Sequence, residues 1–512
     1  MSVNLTMTNL DFGDPNLQGL FGTLQGNILK SHGRDRSRHV FIRFTGAPAD
    51  VREWAAQFGR SVTTAAAQRA QTLQYRRTGE QSLFTGFLLT PSGYAALGVP
   101  QDQWPDDKAF RAGMKDTAIE YDTRPRDVHA PAANPLADNP ATWEEPFRQQ
   151  IDAMAMLAYG RPGEAADADS FLDGEIGRLT ASLSGVGEIV CIQRGHVIRN
   201  DSGQVIEHFG NPDGVSNPQF MRPDLDKVRR ENGGFDRYDG SAPLNLVLAK
   251  DPFPGVNEYG TYYVYRKLQQ NIRGYQRKCA ELASLLTAAT VEFRRNANDG
   301  RGEQELYPMT FDADYANALF IGRFKDGTPI SEQSVPGWSS LPNNFNFDAD
   351  IRGRKCPFAS HIRKTNPRLD TAREFGAPGT VERSRRIVRR GISYGSEDLH
   401  PDDEWTDAGL LFLSVQSNIE YQFIFIQHAW CNNEIFVEQG TGLDPICGVP
   451  LHGTPKVKQK WPLRWGLPHG SVAGGATGSE EDVEFAMNDV VRMRGGEYFF
   501  APSRNFLLSL AG

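Results

Sequence analysis

The segment KCPFASHIRKTNPR, residues 355–368, carries the pattern that decides the fold of this chain. It surrounds His361 with basic side chains, which is typical of a site for an anion. A second segment, RIVRRGISYG (386–395), follows it. A third, HFGNPDGVSNPQF (208–220), precedes both and contains one carboxylate, Asp213. Together the segments offer a metal ligand, a proton carrier and a source of positive charge.

An imidazole, an isolated carboxylate and an arginine are the groups that a haem peroxidase needs. The three segments resemble those of the dye-decolourising peroxidase family. In that resemblance His361 matches the proximal haem ligand, Asp213 in the G-x-x-D-G loop (210–214) matches the distal aspartate, and Arg389 matches the distal arginine.

The resemblance covers nearly the whole chain. Further segments that look like family segments are QGNILKSHGRD (25–35), TYYVYRKLQQN (261–271), FIGRFKDGTPI (320–330), GLLFLSVQ (409–416) and GGEYFFAPS (495–503). The resemblance implies a peroxidase with haem b (iron protoporphyrin IX) as its cofactor. Such an enzyme reduces hydrogen peroxide through a high-valent haem intermediate and oxidises dyes and phenolic compounds, and Mn(II) is an open candidate as a further reductant.

Composition argues against several classes of protein. Hydrophobic residues make up 39% of the chain and charged residues 23%, which is typical of a soluble globular protein. The net charge of -8 argues against a general nucleic-acid binder, because phosphate contacts need a basic surface. No window approaches ~18 uninterrupted apolar residues, so we expect neither a transmembrane helix nor a membrane partner. The oligomeric state stays open.

Cysteine usage and the N-terminus bear on the compartment. The five cysteines are odd in number and form no C-x-x-C pair, which indicates reduced thiols rather than a disulfide frame. The first residues, MSVNLTMTNLDFGDPN, have neither the basic nor the apolar region of a signal peptide. We therefore expect a cytoplasmic or otherwise intracellular protein, although a chain trimmed to its mature end would leave secretion open.

Hydrophobic periodicity predicts two similar rounds of strands and helices. The first has strands at 39–44, 82–89, 151–158 and 188–198 and helices at 49–73 and 167–184. The second has strands at 261–268, 410–415, 423–430 and 498–501 and a helix at 271–296. At 512 residues two domains are expected, which we draw at 1–225 and 226–512. The resemblance implies an α+β fold of two ferredoxin-like halves with antiparallel β-sheets and peripheral helices, like a dimeric α+β barrel, with haem held mainly by the second half.

His361 taken alone is a weak candidate, since a single histidine is more often an ordinary polar residue than a metal ligand. The specific segment around it favours the ligand role. Arg363 and Arg368 follow it closely, and either guanidinium could bind a haem propionate through paired hydrogen bonds. Of the two, Arg363 is the preferred candidate. The plain alternative is that both arginines are solvated loop residues.

Asp213 could equally be an ordinary turn aspartate, and Arg389 one of several basic residues on an edge strand. In the family resemblance Asp213 takes a proton from hydrogen peroxide and delivers it to the leaving oxygen. Arg389 stabilises the developing negative charge and keeps Asp213 ionised.

Three further residues are candidates for the haem pocket. Leu410 and Phe412 alternate on one predicted strand and would narrow the distal side, although plain core packing is the default for both. Asp444, in TGLDPICG, is the candidate partner for the second nitrogen of His361, where a carboxylate makes the imidazole more electron-donating.

A narrow pocket excludes a bulky dye, so electrons would pass through surface aromatic residues. Tyr394 and Trp430 match positions that relatives use as radical sites, and packing is at least as good an account of each. A different reading of the whole chain is a haem-binding or haem-handling protein with incidental peroxidase activity, as in related barrels that break down chlorite. A third is a scaffold that has lost haem, which the absence of a Soret absorption band would reveal. A carrier needs only His361, so the presence of Asp213 and Arg389 favours the enzyme.

Overall fold

The computed structural model describes residues 3–121, 132–231, 237–255, 257–296, 311–337, 343–450, 457–463, 465–466 and 482–511. Its strands, in chain order, are β1 (Arg36–Phe44), β2 (Phe84–Leu89), β3 (Glu120–Tyr121), β4 (Ala132–Ala133), β5 (Ala153–Tyr159), β6 (Gly187–His196), β7 (Ile198–Arg199), β8 (Val205–Ile206), β9 (Ala249–Lys250), β10 (Tyr259–Gln270), β11 (Val388–Arg389), β12 (Ile392–Gly395), β13 (Ala408–Gln416), β14 (Gln459–Pro462), β15 (Asp482–Phe485) and β16 (Val491–Ala501).

The α-helices are α1 (Gln18–Thr23), α2 (Pro48–Gly59), α3 (Ala65–Thr78), α4 (Pro91–Ala96), α5 (Lys108–Ala112), α6 (Glu145–Arg148), α7 (Ala165–Ser182), α8 (Arg222–Glu231), α9 (Ile272–Asn296), α10 (Ala313–Ile321), α11 (His361–Thr365), α12 (Asp370–Phe375), α13 (Gly379–Ser384) and α14 (Arg504–Ser509). Two consecutive π-helices span Ile419–Ile424 and Ile426–Cys431. Short 3₁₀ helices lie at Pro15–Leu17, Gln101–Gln103, Pro140–Thr142, Leu244–Leu246 and Asp348–Asp350.

The main sheet closes on itself. Its strands follow the order β11-β13-β12-β6-β1-β5-β2-β16-β10-β9, and β13 also pairs with β10. Because β13 pairs with both β12 and β10, it joins the two ends of the run β12-β6-β1-β5-β2-β16-β10 and closes it into a barrel. The short strands β11 and β9 lie outside this ring. Closure removes the long unpaired edges that an open sheet would expose.

Each half of the barrel has the strand order of a ferredoxin-like unit. In the first half β6, β1, β5 and β2 lie side by side, and in the second β16, β10, β13 and β12 do. The halves meet where Phe500 pairs with Leu89 and where β12 pairs with β6. The α+β fold with two ferredoxin-like halves is thereby confirmed. The division at 225/226 stays a prediction, and it falls inside α8.

The barrel interior is one aromatic core shared by both halves. Phe41 of β1 contacts Tyr265 of β10 at 4.9 Å between ring centroids, and Phe147 and Phe499 pack against the same phenylalanine. Because aromatic side chains bury large apolar areas, this contact fastens the two halves together. Because Tyr265 points into the barrel, the residues on either side of it in β10 point outward.

Two element predictions are wrong. The helix predicted over 49–73 is two helices, α2 and α3, because residues 60–64 leave the helix and Thr64 caps α3 by accepting from Ala67 N. The strand predicted over 423–430 is the pair of π-helices. Its apolar residues do not decide between strand and helix, whereas Asn418 accepts from Tyr421 N at 2.7 Å and starts a helix there.

Among the described residues no helix is long and apolar enough to cross a membrane.

The barrel contains a histidine that makes its stability depend on pH. His39 of β1 is 1% exposed, and burial lowers its pKa to about 4. An unfolded chain binds a proton on this side chain near pH 6.5, whereas the folded chain does so only near pH 4. The unfolded state therefore gains protons first as the pH falls, and stability is lost between about pH 6.5 and pH 4.

We expect His39→Leu to retain more of its pH 7 stability at pH 5 than the parent does. One pKa unit corresponds to about 1.4 kcal/mol, so the difference at pH 5 is on the order of 1–2 kcal/mol. Denaturant unfolding at both pH values measures it. His400→Leu, at an exposed position, is the matched control. An equal loss of stability on acidification in parent and His39→Leu would contradict the assignment.

Candidate active site

One cavity gathers most of the predicted site residues. The cavity has a volume of about 280 Å³, where a single water needs roughly 10–15 Å³. The outward face of the second half forms one wall, through alternate residues of three strands: Arg266, Leu268 and Gln270 on β10, Leu410 and Phe412 on β13, and Val491 and Met493 on β16. The remaining wall comes from the loop around Asp213, α11 and the π-helices. The space fits a flat organic group with an apolar body.

His361 is the first residue of α11, and α10 fixes where that helix begins. Ser360, just before it, donates a hydrogen bond from Oγ to Leu319 O at 2.5 Å. Gly322 ends α10 with φ +98°, and a β-carbon there would lie 2.3 Å from Ile362 Cγ1. The glycine of the FIGRF segment therefore lets the two helices approach closely enough to bring His361 to the cavity.

Asp444 orients the imidazole. His361 Nδ1 lies 2.9 Å from Asp444 Oδ2 and 3.1 Å from Oδ1, and the aspartate is completely buried. Burial acts to lower the pKa of His361, but the Asp444 carboxylate outweighs it and raises the pKa to about 10. With Nδ1–H held by the carboxylate, Nε2 is the nitrogen that would bind a metal, with release of its own proton.

The buried carboxylate is itself held by backbone donors. Ile446 N and Cys447 N donate to Asp444 Oδ1 at 2.8 and 2.9 Å. Gly448 closes this turn, because a β-carbon at that position would lie 2.5 Å from Asp444 O. Burial acts to raise the pKa of Asp444, but the charge of His361 and these hydrogen-bond donors outweigh it. The net pKa is lowered, so the carboxylate is ionised. The turn fixes the charge and thereby the imidazole.

Asp213 and Arg389 form an ion pair at the same cavity. Arg389 Nη1 donates to Asp213 Oδ1 at 2.7 Å, and Gly214 N donates to the same oxygen at 2.7 Å. Asn217 connects the two segments: its Oδ1 accepts from Arg389 N at 2.9 Å and its Nδ2 donates to Arg389 O at 3.2 Å. The sequence pattern gave no sign of Asn217, since its role depends on a contact between distant segments.

The chain was compared with known proteins. No family model matches it. It is 36% identical over 505 residues to the multifunctional dye peroxidase DyP2 of Amycolatopsis sp., covering 95% of both chains. It is 27% identical to the dye-decolorizing peroxidase msp1 of Mycetinis scorodonius, over 94% of this chain and 85% of that one.

Solved structures agree. A DyP-type peroxidase from Anabaena sp. superimposes with a TM-score of 0.83 at 37% identity, covering 99% of this chain and 98% of that chain. DyP2 from Amycolatopsis superimposes with a TM-score of 0.80 at 32% identity, over 99% and 100% of the two chains. The chain belongs to the dye-decolourising peroxidase family. It is a haem-dependent peroxidase, as the sequence predicted.

The cavity of this peroxidase fits haem. His361 offers one imidazole nitrogen, and Leu268, Leu410 and Phe412 supply apolar surface for a macrocycle. Arg323 and Arg368 line the same cavity and are 3% and 2% exposed. Burial lowers their pKa values to about 9 and about 10, and the mutual repulsion of the two guanidinium groups contributes to the shift of Arg323. Buried cations so close together favour an anionic partner, as haem propionates provide.

Arg363 does not lie where we expected it. Its side chain is fully buried and donates to Asp370 Oδ2 at 2.6 Å and to Asp350 Oδ2 at 2.9 Å, so its charge is already neutralised by two carboxylates. It is not among the described residues that line the cavity. The prediction that Arg363 is the better propionate ligand is wrong, because α11 turns its side chain into the protein interior.

Arg368 does line the cavity and remains the candidate. Its guanidinium donates to Phe345 O at 2.6 Å and to Asn343 Oδ1 at 2.5 Å, which are neutral acceptors. Its charge is therefore offset by no carboxylate in these contacts. Arg323, in the FIGRF segment, is a further candidate that sequence reasoning missed.

Tyr394 and Trp430 are not at the surface. Their exposed fractions are 4% and 5%, so the expectation of a surface position is wrong for both. Tyr394 lies in β12 under the ammonium group of Lys267, and Trp430 packs on Phe425 and Phe436. A residue of a π-helix or a barrel strand is covered by its neighbours in a way that the sequence alone does not reveal.

Replacement of Asp444 should change the haem iron without emptying the site. In Asp444→Asn the imidazole loses its carboxylate partner and donates less electron density, so we expect a higher Fe(III)/Fe(II) reduction potential. We also expect peroxide turnover to fall by roughly 10–100-fold, as is typical when an outer partner of a metal ligand is lost. Spectroelectrochemical titration and steady-state kinetics measure the two effects. The control is Asp402→Asn, at an exposed carboxylate. A reduction potential equal to the parent's would contradict this role of Asp444.

Proposed function

We propose that this member of the family uses haem b bound through His361, and that Asp213 and Arg389 activate hydrogen peroxide at the same cavity. The observation that carries the proposal is the placement of two pairs, His361–Asp444 and Asp213–Arg389, around one apolar cavity with buried cations. When bound, the haem would supply the iron on which peroxide is held and reduced.

The protein's own part in holding that group begins with His361, which would bind iron through Nε2 while Asp444 keeps Nδ1–H in place. Arg368 and Arg323 would pair with the propionates. Leu410 and Phe412 would limit the free space at the reacting oxygen atoms. A pocket restricted in this way admits peroxide and keeps bulky reductants outside.

Asp213 and Arg389 divide the chemistry between them. Asp213 Oδ1 is occupied by Arg389 and by Gly214 N, so we assign proton transfer to Oδ2. That oxygen would accept a proton from peroxide and return it to the oxygen that leaves as water. Arg389 cannot accept a proton near neutral pH, and its part is to stabilise negative charge and to hold Asp213 in place.

The reductants we propose are anthraquinone-type dyes and small phenolic compounds. The name of the relative DyP2 says that it acts on dyes. Because Tyr394 and Trp430 are buried, they would act as internal relays between the cavity and the surface. Trp430 is next to Cys431, which lines the cavity, and lies 5.4 Å from Phe425 between ring centroids. Mn(II) oxidation stays a prediction. An intracellular location also stays a prediction, and it rests on the unpaired cysteines.

A haem carrier is the alternative that the geometry favours less. A carrier needs a ligand and a pocket, and it has no use for an ion pair of carboxylate and guanidinium held by Asn217 at the cavity wall. The pair therefore supports catalysis.

Substitution of Asp213 and Arg389 distinguishes a peroxidase from a haem carrier. We expect Asp213→Asn, Arg389→Leu, or both, to bind haem normally but to react slowly with peroxide. Loss of a proton carrier typically slows a reaction about 10²–10⁴-fold, and loss of a charge donor about 10²–10³-fold. Stopped-flow mixing with peroxide, followed at the Soret band, measures the first step. Steady-state assays with an anthraquinone dye, a phenol and Mn(II) measure the reductants.

The matched control is Arg385→Leu, in the same segment. Arg385 is partly exposed and donates to Tyr421 O at 2.9 Å, outside the described lining of the cavity. Its variant should react with peroxide at the parental rate. If the double variant Asp213→Asn/Arg389→Leu reacts as fast as the parent, neither residue is catalytic and the carrier is the better account.

A further inference from the structure

A pair of cysteines lies directly behind the candidate iron ligand. Cys431 ends the second π-helix, and Cys447 lies in the turn that carries Asp444. Cys447 packs against the buried cluster that contains Cys431, and Cys447 Sγ is 3.9 Å from His361 Nδ1. The two cysteines are therefore neighbours, and one of them is in contact with the imidazole.

The backbone holds this pair together from both sides. Asp444 N donates to Cys431 O at 2.8 Å, and Cys447 N donates to Asp444 Oδ1 at 2.9 Å. Gln427, one helical turn before Cys431, donates from Nε2 to Cys447 O at 2.7 Å. The closeness of the two cysteines is therefore fixed by backbone hydrogen bonds.

Both cysteines also line the cavity that would receive peroxide. The other three cysteines do not line it in the part of the chain that the structure describes. A small oxidant that reaches the His361 side of this cavity thus meets two neighbouring thiols.

We propose that Cys431 and Cys447 form a disulfide when hydrogen peroxide exceeds the reducing substrate, and that the bond changes the His361–Asp444 pair. The peroxide-driven part rests on the proposed function. One thiol sulfur attacks peroxide, so that an S–O bond forms, the O–O bond breaks and water leaves, giving a sulfenic acid. The second thiol then attacks that sulfur, so that the S–S bond forms, the S–O bond breaks and a second water leaves. Two thiols are oxidised and one peroxide is reduced.

The consequence reaches the imidazole. In the disulfide, Cys447 Sγ no longer carries a proton and is drawn toward Cys431, beside the nitrogen that Asp444 holds. We expect a Soret shift and a fall in dye turnover of roughly tenfold, the lower end of what disturbance of an outer partner of a metal ligand causes. Both should be reversed by a phosphine reductant.

The test uses reduced, haem-loaded protein exposed to peroxide without a dye, then denatured and alkylated. The chain has five cysteines, so the alkylated count should fall from five to three, the five less the two of the pair. Peptide mass spectrometry should find Cys431 linked to Cys447. Cys191→Ser should still form the link, whereas Cys431→Ser and Cys447→Ala should form no disulfide. Five alkylated cysteines after peroxide, or single oxidation of either cysteine without the link, would overturn the proposal.

Haem-free protein treated with diamide separates this proposal from the proposed function. Diamide oxidises neighbouring thiols without iron, so it should link the same two cysteines. A link formed by diamide but not by peroxide in the haem-loaded protein overturns the peroxide-driven step. A haem-loaded protein that consumes no peroxide overturns the proposed function, while the diamide result still decides whether the pair exists.

Discussion

The structure depends on a buried negative charge. Asp444 is completely buried, and a carboxylate in that position is tolerated only if it is paired and hydrogen-bonded. Two backbone donors and His361 Nδ1 satisfy it. The same arrangement keeps a proton on Nδ1 of the imidazole and leaves Nε2 as the nitrogen that we propose binds iron. The hydrogen bond between Asp444 and His361 therefore both stabilises the turn and orients the imidazole.

The closed barrel brings the rest of the site to that ligand. Asp213 follows the first ferredoxin-like half, whereas Arg389 lies in β11 of the second, and the two meet through an ion pair and through Asn217. The aromatic core between Phe41 and Tyr265 holds the halves in register. Outward-facing residues of β10, β13 and β16 then form the apolar wall. A site assembled from such distant segments requires the whole fold, which explains why relatives match over nearly the full chain.

Much of the candidate site could be predicted from the sequence, because some of its residues lie in short, distinctive motifs. His361, Asp213 and Arg389 stand in motifs whose spacing is set by a turn or a short strand, and Asp444 stands in a tight turn closed by Gly448. Other features depend on direction rather than on spacing. Arg363 and Arg368 are both close to His361, yet only the second lines the cavity, since α11 turns the first inward. The segment of Trp430 is apolar throughout, so no periodicity distinguishes a strand from a π-helix. Cys431 and Cys447 likewise become neighbours only after folding.

The central claim is that His361 binds the haem iron, and its most direct test is the haem content of His361→Ala. The account predicts a folded protein that purifies with little haem and a weak Soret band, while His400→Ala, at an exposed histidine, binds haem like the parent. Addition of imidazole should restore part of the Soret band, because the cavity wall and its arginines are unchanged. Full haem occupancy with an unchanged spectrum in His361→Ala would contradict the account and place the iron ligand elsewhere.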